Sequence, residues 1–291
     1  MTHIKTRSKH PFLIGLALSC LALNCSADTP RVPPKPPAAE VPDLRTVDAT
    51  IACVGCSKPF DTATHKEVLQ GLVANVYIGE LRRALYLQDT VHQFESKVHF
   101  DNCDFDNAIA YIDERLDETD KLVRNASELR ARGKMGGFED SVRKAFFTLG
   151  QALHGVQDFY AHSNYIELSK NQAKKTQDIA VVAPWRNSGK ARIKEMGGAG
   201  LVSGYVIWGL PQQCLRDAIT HADLAKDKNS TPSGAVKVPH LQNHTHYQIA
   251  VYLARRASEL FFADAFQRWP LLKEVNGNLV AFEVLVDRRG L

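Results

Sequence analysis

Residues 149–168 read LGQALHGVQDFYAHSNYIEL, and His154, Asp158 and His162 recur in that stretch at steps of four. An α-helix advances about 100° per residue, so a step of four rotates a side chain by only about 40°. The three side chains therefore share one stripe of a helix. Imidazole nitrogen and carboxylate oxygen are both good ligands for Zn²⁺, and the spacing lets two of them reach one ion. Around the stripe stand Phe146, Leu149, Leu153, Val156, Phe159 and Tyr160, with the small Gly150 and Ala161 nearby. The pattern predicts a helix over 143–168 with apolar surface beside a ligating stripe. The bland alternative is a solvated polar face, or a histidine hydrogen-bonded inside a core.

Further His and Asp residues stand where additional ligands would make sense. THKEV places His65 in the first turn of a helix, with Thr64 as N-cap. VHFDNCDFDNA places His99 and Asp101 just ahead of another helix, where an extended segment points alternate residues the same way. THADLAKD supplies His221 and then Asp227, and HLQNHTHYQ gathers His240, His244 and His246 before the last long helix. His65 could equally be a surface residue, and 240–246 a solvated loop. The sequence does not choose which of His221, His240, His244, His246 and Asp227 complete a site.

The rest of the folded body reads as amphipathic helices. One runs from residue 64 to about 88, with its apolar spacing interrupted around Gly79. One or two lie within 106–132, and a long final helix ends at Pro270. The stretches 170–200 and 226–243 are polar and rich in Gly, Pro and Lys, and read as loops. VSGYVIWGL, with Tyr205 and Trp208, fits a core segment, a membrane-touching loop or a substrate wall. NGNLVAFEVLVD near the C-terminus reads as a short hairpin or strand. The fold class expected is all-α, a multi-helix bundle with a short C-terminal hairpin.

Residues 1–27 have a cationic start, an apolar run and a small residue before Asp28, the pattern of a secretory signal peptide. Lipidation at Cys20 or Cys25 is a poorer fit. Residues 28–45 are Pro-rich and read as an extended spacer. A single domain then occupies 46–291. The 291 residues are 44% apolar and 23% charged, values ordinary for a soluble globular protein. Lys5, Arg7 and Lys9 supply three units of the net charge of +4, so little basicity is left for a nucleic-acid footprint. After the leader, Cys53, Cys56, Cys103 and Cys214 remain; in an exported protein they suggest one or two disulfides of undetermined pairing.

The 149–168 segment resembles the signature of Het-C-type proteins, named for fungal heterokaryon incompatibility. That group is similar in motif order to zinc-dependent phospholipase C and the P1-type nucleases. THKEV, HFDN ahead of a helix, and THADLAKD followed by a His and an Ala-rich helix extend the likeness over residues 60–262. The resemblance implies an all-α fold around a cluster of one to three Zn²⁺ ions and hydrolysis of a phosphoric ester. It implies metal ligation by His65, His99, Asp101, His154, Asp158, His162 and either His221 or His246, with Asp101 as ligand or general base.

Three departures stand out. The Asp158–His162 step is shorter than in the phospholipases and lacks their Pro. Their N-terminal amine ligand has no counterpart near His65. No His-x3-Glu pair follows His221, although Asp227 stands close by. The function expected is an exported phospholipase C-type phosphoesterase acting on phospholipid, with contact to a membrane surface. The alternatives are a P1-type nuclease and a non-enzymatic protein that contacts a membrane or a partner. Oligomeric state is not legible.

Overall fold

The computed structural model describes His65, Val68 and residues 75–207, 209–214 and 219–276. The elements follow the order α1 (Asn75–Thr90), α2 (Ser96–His99), α3 (Phe105–Ala131), α4 (Met135–His162), α5 (Tyr165–Ser169), α6 (Lys190–Gly198), α7 (His221–Leu224), α8 (His246–Arg268) and α9 (Pro270–Asn276). The strands among the described residues are one short antiparallel pair. In it β1 (Lys237–Val238) meets β2 (His244–Thr245), with Lys237 opposite Thr245 and Val238 opposite His244. The molecule is an all-α, multi-helix bundle, as the periodicity predicts. The leader, the spacer, Thr64, Cys53, Cys56, Trp208 and the segment from 277 onward that reads as a hairpin lie outside the described residues.

Helix α4 is the axis of the bundle. It packs against α1, α3 and α8, and every residue from Ala152 to His162 is buried. A helix covered on all sides hides its polar stripe as well as its apolar face. His154, Asp158 and His162 are therefore interior residues, not a solvated edge. α1 crosses α4 at Gly150, where a β-carbon would sit 2.7 Å from the Ala84 Cβ and 3.0 Å from the Leu81 Cα. Only glycine permits that approach. Near the other end, Phe100, Phe159 and Trp185 pack edge to face around the helix.

The single helix expected over 143–168 is two. It starts earlier, at Met135, and breaks after His162, where Ser163 is extended. Hydrogen bonding explains the break. The His162 carbonyl accepts from Gly204 N at 3.0 Å, and the Ala161 carbonyl accepts from Lys226 N at 3.0 Å. These distant segments satisfy carbonyls that the helix end leaves open. α3 is one uninterrupted helix of 27 residues. α1 continues through the exposed Gly79 without a break. α6 lies in a stretch whose glycines read as loop; Ile193 and Met196, three apart, are its buried contacts. α8 begins with a capping box, in which the Thr245 hydroxyl accepts from Gln248 N and the Gln248 side chain accepts from Thr245 N.

Gly150→Val is expected to lower stability by about 1–3 kcal/mol, because two helix backbones must separate to admit the side chain. Urea unfolding measures it; an unchanged midpoint contradicts the close crossing.

Candidate metal centre

The three polar residues of α4 face donors from four other parts of the chain. His154 Nε2 lies 2.9 Å from Asp158 Oδ2 and 3.0 Å from His99 Nδ1, and His99 Nδ1 is 3.1 Å from the same carboxylate oxygen. Three donor atoms thus stand about equally far apart. A tetrahedral site with ligand bonds of about 2.0–2.1 Å has edges of about 3.3 Å. Hydrogen bonding alone satisfies such a triangle badly, since two ring nitrogens aimed at one oxygen also face each other. His65 approaches from the other side, with Nε2 3.4 Å from Asp158 Oδ1 and its ring 4.6 Å from that of His154. Its Nδ1 donates to Gln157 Oε1 at 2.6 Å, which fixes the orientation of the ring. Asp89, at the end of α1, has Oδ1 3.6 Å from His154 Nε2. Two overlapping donor groups result: His65, His154 and Asp158, and Asp89, His99 and His154. Together they form a first pocket.

A second pocket adjoins it through Asp158, whose Oδ2 is 3.9 Å from His162 Nδ1. The rings of His162 and His221 lie 4.5 Å apart, with a carboxylate on either side. Asp101 Oδ1 is 2.9 Å from His221 Nδ1 and 3.7 Å from His162 Nδ1. Asp227 is 3.3 Å from His162 Nε2 and 3.8 Å from His221 Nε2. Asp101, His162 and His221 are close enough to share one ion. His162 Nδ1 also donates to the His99 carbonyl at 2.9 Å, the kind of outer contact that sets a ligating ring.

The turn carrying His99 and Asp101 is not extended, contrary to expectation. Phe100, Asn102 and Cys103 all have φ near +55°, the left-handed region that non-glycine residues rarely adopt. What holds them there is visible. Asn102 Nδ2 donates to Ser96 Oγ and the Gly209 carbonyl, and Asn102 Oδ1 accepts from Val206 N. Cys103 is disulfide-bonded to Cys214. The same neighbourhood brings Gly204 against α7, where a β-carbon would meet the His221 Cα at 2.5 Å.

The residues named from sequence thus divide in two. His65, His99, Asp101, His154, Asp158, His162 and His221 are brought together. His246 is not; it sits beside Glu167, 3.5 Å away, and Lys170, 2.9 Å away. His244 bonds Thr176 and His240 bonds the Lys170 carbonyl. Asp227, left open by the sequence, faces the second pocket. Asp89 is the donor that sequence reasoning missed. Its signal was present: it falls four residues after Leu85 and eight after Leu81, on the buried stripe of α1.

The donors fit metal ions on two counts. His99 Nε2, His154 Nδ1, Asp158 Oδ1 and both oxygens of Asp227 are buried without a hydrogen bond. Moreover, four carboxylates in one interior site need compensating positive charge. Without a cation that charge comes from protons. Burial works against a charged His65, but Asp158 and Asp89 outweigh it and raise the imidazole to about 9. His162 is raised to about 9 in the same way by Asp158 and Asp101, and His221 is pushed well above its ordinary value by Asp101. Burial would raise Asp158, yet the imidazoles packed around it hold it well below the usual carboxylate range. Burial lifts Asp89 to about 7.

A family model described as VWA7 N-terminal domain matches residues 70–182. That stretch is less than half of the chain and contains Asp89, His99, Asp101, His154, Asp158 and His162. His65, His221 and Asp227 lie outside it. No curated protein and no solved structure matches the chain.

Metal uptake must displace the protons on His65 and His162, which stay bound up to about pH 9. Uptake at pH 7 is therefore expected to release protons, and apparent affinity to rise from pH 7 to 9. Calorimetric Zn²⁺ titration in buffers of different ionisation enthalpy reads this directly. Heats that do not depend on the buffer contradict it.

Proposed function

We propose that this chain is an exported zinc-dependent phosphoesterase that cleaves phospholipid phosphodiester bonds in the manner of a phospholipase C. The observation that carries the reading is the convergence of five imidazoles and four carboxylates in one interior site. Donor chemistry favours zinc, because sets rich in neutral nitrogen with some carboxylate suit that ion better than Ca²⁺ or Mg²⁺. Charge favours two ions: two divalent cations offset Asp89, Asp101, Asp158 and Asp227 with all five imidazoles neutral. The motif likeness to Het-C-type proteins and zinc phospholipases points the same way. The Cys103–Cys214 disulfide is compatible with export. Among the described residues no helix is long and apolar enough to cross a membrane.

Bound zinc supplies Lewis acidity toward phosphoryl oxygens and lowers the pKa of a coordinated water. The chain's own residues do the rest. His65 is held by Gln157, which is anchored in turn by donating to Ser258 on α8. Asp158 spans the two pockets. Asp89, Asp101 and His221 are the least buried donors of the centre, and in this reading Asp101 takes a proton there as general base.

A lipid substrate is supported by the apolar residues on the neighbouring segments. Val91, Phe94, Ile207, Leu210 and Ile219 are large, apolar and at least half exposed. They sit on the segments that carry or brace Asp89, Asp101 and His221. Leu210 N bonds the Phe94 carbonyl, Tyr205 N bonds the Ile219 carbonyl, and His221 N bonds the Tyr205 carbonyl. Such a rim suits acyl chains and a membrane surface, whereas a nucleic acid would call for a cationic one.

Asp158→Asn is expected to lower bound zinc in the purified protein. It should also reduce phosphatidylcholine hydrolysis by more than the roughly 10- to 100-fold that outer-shell changes cost. Cleavage of a single-stranded oligonucleotide in preference to lipid would support the nuclease reading. Unchanged zinc content would refute the metal assignment, and full zinc without hydrolysis would support a non-enzymatic role.

A further inference from the structure

The structure contains a buried lysine that the metal centre does not use directly. Lys226 is fully buried, and its ammonium has three partners, matching its three donors. Nζ donates to the Ser163 carbonyl at 2.9 Å and to the Leu224 carbonyl at 3.0 Å, and pairs with Glu167 Oε1 at 3.0 Å. Its backbone N–H bonds the Ala161 carbonyl. Lys226 therefore grips the chain on both sides of His162. The next residue is Asp227, whose buried carboxylate faces His162 and His221 and makes no hydrogen bond of its own.

Apart from Lys226, the groups that face the Asp227 side chain are the imidazoles of His162 and His221, the very donors it must be set against. The grip extends outward. Glu167 accepts from Ser233 Oγ at 3.2 Å and lies 3.5 Å from His246 Nδ1 at the start of α8, and Lys170 donates to His246 Nε2. A charged amine buried at this depth costs stability unless its partners are well placed. Here all its partners lie on segments that meet at the second pocket.

We propose that Lys226 is a positioning residue for the second pocket: its ammonium seats Asp227 against His162 and His221 so that the pocket is formed before a cation enters. The proposal rests on the metal-centre reading but not on catalysis. It also gives the His246–Glu167–Lys170 group a place as the outer brace of that seat.

The test is Co²⁺ titration of the metal-free full-length protein, followed by visible absorption. His65→Ala identifies the binding step of the first pocket and His221→Ala that of the second. Lys226→Met keeps the length and removes the donors. It is expected to reproduce the His221→Ala titration, with the second step weakened at least about 10-fold and the first retained. In a folded variant, weakening of both steps or of neither overturns the proposal. If Lys226→Met does not fold, Glu167→Gln decides, and it is expected to weaken the second step alone. A second step as tight as in the wild type, or weakening of both steps, rejects the assignment. A wild-type protein that takes up no Co²⁺ refutes the metal centre itself, and this proposal with it.

Discussion

Four carboxylates buried in one place cannot all stay charged without a positive partner, and this constraint shapes the molecule. Moving an isolated carboxylate into an apolar interior costs far more than a domain's net stability. Asp158 has no exposure at all, and Asp227 almost none. The chain answers with imidazoles: without a metal the carboxylates hold protons on His65, His162 and His221, while burial keeps His154 neutral, and a bound cation would take the place of those protons. The centre is therefore poised between two states of nearly equal charge balance.

The helical scaffold serves that balance. α4 can carry three candidate ligands into the interior only because α1, α3 and α8 enclose it. The Gly150 crossing brings α1 close enough for Asp89 to join them. Segments remote in sequence then close the site: His65 from before α1, the turn after α2, and α7 with its following loop. Gln157 links His65 to Ser258, so α8 supports the first pocket although it donates no ligand.

Much of this was legible in the chain, for a definite reason. His154, Asp158 and His162 lie on one helix, where spacing alone fixes their common face. The amphipathic spacing of α1, α3 and α8 was likewise readable, because core contact repeats with the helical period. Other features were harder to read. Asp89 gave only its register with Leu81 and Leu85, and a single acid near the end of a helix is usually solvated. His99 and Asp101 converge through three left-handed residues, and neither Phe100 nor Cys103 advertises that conformation. His246 follows two other histidines, yet its position depends on where α8 docks, which no local pattern encodes. Asp227 depends on a lysine side chain reaching across to another helix end, and periodicity carries no information about such a reach.

The disulfide and the long-range pairings have a consequence for where the functional unit begins and ends. Asp101 meets His221 across 120 positions, and His65 meets Gln157 across 92. A fragment cut to the borders of the matched family segment would keep the middle of the centre and lose both flanks. It would keep Asp89, Asp101 and Asp158 but lose His65 and His221, two of the three imidazoles that hold protons beside them. The smallest stretch that holds the whole centre therefore runs from His65 to Asp227, wider than the recognisable block of sequence within it.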